Sequence, residues 1–64
     1  MDFRVDSTDI YMNIYLASTG ELVGSAIRYD VAPDDRPHFR VLIDCKKDVF
    51  VEVFEMLRRY LDDE

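Results

Sequence analysis

Two glycines, two prolines and a single cysteine are all that this 64-residue chain offers of the residues that build phosphate cradles, disulfides and metal knuckles. One cysteine cannot form an internal disulfide, and the four-ligand cysteine/histidine zinc pattern is absent. With only Gly20 and Gly24 available, there is no glycine-rich phosphate loop and no Gly-x-Ser-x-Gly nucleophile elbow. No apolar run approaches the ~18 residues of a membrane span, and the N-terminal residues lack the basic-then-apolar order of a signal peptide. The expectation is a cytoplasmic chain.

Positive charge is also scarce. Fourteen acidic residues stand against eight basic ones, for a net charge of −6, which opposes direct binding to a phosphate backbone. By type there are ten Asp to four Glu and six Arg to two Lys. That bias fits a GC-rich bacterial or phage genome, or a hydrated acidic surface adapted to high salt.

What the chain has in quantity is patterned apolar residues. Residues 44–61 read as one amphipathic helix at 100° per residue. Val49, Phe50, Val53, Phe54, Met56, Leu57, Tyr60 and Leu61 crowd one side. Lys47, Asp48, Glu52, Glu55, Arg58, Arg59 and Asp62 take the other, with Val51 the apolar exception. Asp44 suits the N-cap. The apolar arc spans roughly 160°, wider than a surface helix needs. Phe50, Phe54, Leu57 and Leu61 are expected to press on the rest of the fold. Val49, Met56 and Tyr60 are left as a flank for a dimer contact.

The preceding residues alternate as strands do. Strands are expected at about 9–17, 22–31 and 38–44, with the helix at 45–61. Phe3 and Val5 alternate with Asp2, Arg4 and Asp6 in a short segment that is an edge strand, a mobile arm or a strand given to a second subunit. The expected architecture is a single α+β domain over 1–64. It is a three-stranded antiparallel meander, four-stranded if residues 1–6 pair, covered on one face by one C-terminal helix.

The turn between the first two main strands decides which side chains meet the helix, because a one-residue slip exchanges the faces. A two-residue turn at Thr19-Gly20 pairs Leu16 with Val23, Met12 with Ile27 and Ile10 with Tyr29 on the core side. It puts Tyr15 beside Gly24 and Tyr11 beside Arg28 on the outer side. A three-residue turn with Gly20 as a bulge places Leu22, Gly24 and Ala26 under the helix instead, and leaves Val23, Ile27 and Tyr29 on the outer face with Tyr11 and Tyr15. The shorter turn sorts hydrophobic residues more cleanly and is preferred, although Thr19 resists the positive φ it requires.

No catalytic set emerges. Cys45 and His38 stand at opposite ends of one strand, roughly 20 Å apart at ~3.3 Å per residue, too far for a dyad. Asp34, Asp35 and His38 are the nearest thing to a metal set, and their spacing matches no calcium loop or zinc pattern. A proline-bounded acidic turn explains them, so neither metal nor cofactor is expected. Tyr11, Tyr15, Arg28, His38 and Arg40 fall on the outer sheet face. Tyr and Arg are enriched at protein hot spots, and this face reads as a protein-binding surface.

Together these features predict a small acidic interaction module, most simply a homodimer. It would bind and inhibit a larger protein, as short phage and mobile-element products such as anti-CRISPR-type inhibitors do. Two variants stay open. Asp44, Asp48, Glu52, Glu55 and Asp62 give the helix an acidic face suited to nucleic-acid mimicry, and a small antitoxin-like regulatory dimer fits the same composition. A metal-binding structural role through the Asp34/Asp35/His38 turn is the remote alternative.

Overall fold

The computed structural model describes residues 2–29 and 38–62. Four strands, β1 (Phe3–Ser7), β2 (Tyr11–Leu16), β3 (Leu22–Tyr29) and β4 (His38–Ile43), are followed by one helix, α1 (Lys47–Asp62). The strands form one antiparallel sheet in sequence order. The short N-terminal segment therefore pairs within the chain and makes the meander four-stranded.

The turns are set by local chemistry. At the β1–β2 turn the Thr8 hydroxyl oxygen accepts from the backbone N–H groups of Ile10 and Tyr11 at 3.1 and 3.2 Å. Thr8 N–H donates to the Tyr11 carbonyl at 2.8 Å. Between β2 and β3, Leu16 N–H donates to the Glu21 carbonyl, which closes a loop over residues 17–20. Gly20 takes φ +75°, where an L side chain would be strained, and its N–H donates to Leu16 at 2.7 Å.

That loop is longer than either turn expected from the sequence, and together with the bulge that follows it overturns the preferred register. Met12 lies opposite Ala26 and Ile14 opposite Gly24, while Tyr15 pairs with Leu22 across a bulge. The small residues of β3 thus face the helix, as in the bulged alternative. The bulge adds one feature of its own, because it leaves Val23 buried at the helix end of β3 rather than outside. Ile27 and Tyr29, which the shorter turn would bury, are 46% and 44% exposed.

Met12, Ile14, Val23, Ala26, Val49, Val53 and Leu57 make the buried core. The helix lies over β3, with β2 and β4 to either side. Gly24 and Ala26 offer no bulk there, so the helix seats its shorter residues on them. Val49, Val53 and Leu57, spaced four apart, form the buried seam. The expected centre of the apolar arc is therefore shifted. Phe50 and Phe54 overhang toward β4, 45% and 46% exposed, with their rings stacked 6.1 Å apart. The supposed dimer flank is covered instead. Val49 is fully in the core, and Met56 and Tyr60 are half-buried against it. The helix also begins later than expected. Lys46 holds the N-cap position, its carbonyl accepting from Val49 and Phe50. Asp44 continues the ladder, donating its N–H to the Val23 carbonyl at 3.0 Å.

Candidate interaction surface

Side chains of paired strands point to the same side, so the register assigns both faces of the sheet. On the side away from the helix, β2 presents Tyr11, Asn13 and Tyr15, and β3 presents Leu22, Ser25, Ile27 and Tyr29. From β4 come His38, Arg40 and Leu42. From β1 comes Arg4, whose guanidinium carbon sits 5.0 Å from the centre of the Tyr15 ring. The His38 and Tyr29 rings are neighbours across β3 and β4, 5.8 Å apart.

Four of the five sheet-face residues expected from the sequence therefore share this surface: Tyr11, Tyr15, His38 and Arg40. Arg28 does not. Its partner is Phe39, on the helix side, so the expected Tyr11–Arg28 neighbours are replaced by Tyr11 and Ile27. The cation over an aromatic ring is Arg4 on Tyr15, not Arg28 on Tyr11. The preferred turn buried Ile27 and Tyr29, which the bulged alternative placed on this face, and Leu42, expected on the face of His38 and Arg40, is 57% exposed. Each is apolar enough to be assigned to a core by type, and only the bulged register exposes the two on β3.

A face with four large exposed apolar side chains and two half-buried tyrosines is unusual for an isolated domain. It lacks Lys and Glu, and its charges are Arg4, Arg40 and Asp6, with Asp44 just past the end of β4. That composition is what protein interfaces enrich: aromatic and Arg centres with little Lys or Glu.

The helix carries the other candidate set. Asp44, Asp48, Glu52, Glu55 and Asp62 are all exposed. Arg58 lies between two of them, 4.0 Å from Glu55 and 3.8 Å from Asp62. Such exposed pairs contribute little to stability, but they dilute the negative field of the helix. Cys45 is half-buried where β4 passes into the helix, in a pocket lined by Leu16, Val23, Asp48 and Val49. Among the described residues no group of three or more His, Cys, Asp or Glu side chains is placed to hold a metal ion. Asp34 and Asp35 lie outside the described residues. Among the described residues no helix is long and apolar enough to cross a membrane. The chain matches no family model, no curated protein and no solved structure.

Proposed function

We propose that this chain is a non-catalytic interaction module that works as a dimer and binds a larger protein through the outer face of its sheet. One observation carries the reading: the bulged β2–β3 register leaves Leu22, Ile27 and Tyr29 beside Tyr11 and Tyr15 on the side without a helix. Apolar side chains exposed this way gain from being covered, at roughly 25 cal/mol per Å² removed from water. Arg4 and Arg40 on this face favour a partner that sets acidic groups beside apolar ones. Inhibition of that partner follows if the face occupies a site the partner needs.

Nucleic-acid mimicry by the helix is the weaker alternative, since Arg58 stands within its carboxylate set. A photo-reactive amino acid placed at Ile27 or at Glu52 separates the two in extracts of the source cells. Cross-linking to one discrete larger protein from position 27, lost on Tyr15→Ala substitution, is the expected result. Cross-linking from position 52 alone would replace the sheet-face reading with mimicry.

A further inference from the structure

Among the described residues, the outer edge of β4 is the second feature left uncovered. β4 is the last strand of the sheet among the described residues. Asp44 N–H bonds to Val23, in the register that sets Leu42 opposite Ser25 and Arg40 opposite Ile27. In an antiparallel ladder alternate residues turn their backbone polar groups to the same neighbour. His38, Arg40, Leu42 and Asp44 thus address β3, and Phe39, Val41 and Ile43 turn their N–H and C=O groups to the open edge.

We infer that this edge pairs with the same edge of a second copy, about a two-fold axis that passes through Val41 perpendicular to the sheet. The register is self-complementary. Val41 meets Val41 of the second copy, and Phe39 meets Ile43 of the second copy. Both are pairs whose backbone groups already point across, giving six new ladder bonds. On the outer face the same axis sets Arg40 against Leu42 and His38 against Asp44 of the second copy. A shift by one residue would put every side chain on the wrong face.

The helix side supplies the apolar cover. Between α1 and β4 runs a groove of about 240 Å³ lined by Val41, Ile43, Phe54, Leu57 and Leu61, with Arg58 and Asp62 also at its wall. With the helix over β3, the two helices of the pair stand three strand spacings apart, roughly 14 Å. The overhanging Phe54 side chains of the two copies project into that gap. The opposite edge is less suited. β1 adds Phe3 and Val5, but also Arg4, Asp6 and Ser7, and the helix packs over β2, β3 and β4. Pairing through β4 produces one continuous eight-stranded sheet with both outer faces on the same side. This deepens the dimeric reading above and rests on it: the partner would meet a doubled Tyr/Ile/Leu platform.

Sedimentation velocity over a concentration series tests the assignment on the full chain, with circular dichroism as the check of folding. Proline fits where an edge strand turns its N–H outward, so Val41→Pro should keep the monomer fold while removing central interface bonds. The expected result is a wild-type species of twice 7.6 kDa and a dimer dissociation constant raised about a hundredfold or more by Val41→Pro. Phe54→Ser should weaken the dimer in the same direction without touching the backbone. Val5→Pro is the matched control at the other edge, where Ala17 N–H bonds to Asp2 and Val5 likewise faces outward. It should leave the dimer intact. A wild-type monomer at high concentration overturns both the dimer and its edge. A dimer that survives both Val41→Pro and Phe54→Ser, or one broken by Val5→Pro alone, overturns the β4 assignment and leaves the dimeric reading standing.

Discussion

Val53 Cγ1 lies 2.5 Å from the point a Cβ would occupy at Gly24, closer than real Cβ contacts allow. Leu57 Cδ1 and Ile14 Cδ1 are 3.5 and 3.7 Å from the same point. The helix is therefore seated on the sheet at the depth glycine permits, with a fully buried, stiff β-branched side chain above it. Gly24→Ala should destabilise by about 1–3 kcal/mol through overpacking. In a Val53→Ala background, which itself costs about 2–3 kcal/mol, the same change should cost clearly less. Chemical denaturation of the four variants measures the coupling, and strict additivity would refute the contact.

Gly20 is required for a different reason. Nothing lies within 4 Å of its would-be Cβ, so only its φ of +75° resists substitution. Gly20→Ala should cost about 1 kcal/mol, and Gly20→Asn less, because Asn tolerates left-handed backbone. Equal melting temperatures for Ala and Asn variants would contradict this.

The rotation of the helix predicts an inverted size effect. Val49 is 4% exposed and Phe50 45%. Val49→Ala should therefore destabilise more than Phe50→Ala, although it removes fewer atoms. Denaturation at a concentration low enough to keep the chain monomeric makes the comparison. The opposite order would return Phe50 to the core.

Tyr60 ties the helix end to the first turn. Its hydroxyl donates to the Thr8 carbonyl at 2.8 Å, and its ring meets Phe39 edge-on at 6.5 Å. Tyr60→Phe keeps the ring contact and removes the hydrogen bond, for a loss of about 0.5–1.5 kcal/mol. Tyr60→Ala should cost several times more, and amide exchange near Thr8 should accelerate in both.

Strand and helix identity were legible in the sequence because they depend on periodicity, which neighbouring residues carry by themselves. Phe39, Val41 and Ile43 alternate with His38, Arg40 and Leu42 as read, and α1 lies within a residue or two of its expected bounds at both ends. The candidate surface was legible only in part. Tyr11 and Tyr15 share a strand and cannot be separated by any register. Arg28 and Ile27 sit one residue apart on the next strand, and which of them joins the tyrosines depends on the loop after Leu16 and the bulge before Gly24.

Periodicity alone thus determined the order of elements and an antiparallel meander under one amphipathic helix. Tertiary structure decided the rest. A four-residue loop followed by a bulge at Val23 exchanges the faces of β3 from Gly24 onward and keeps Val23 in the core. Those shifts place Gly24 and Ala26 beneath the helix, which then settles on Val49, Val53 and Leu57 and leaves Phe50 and Phe54 over the β4 edge. Periodicity records which residues share a face. It does not record which face a neighbouring strand or helix will cover, because that is set by loop length and by how closely two backbones can approach.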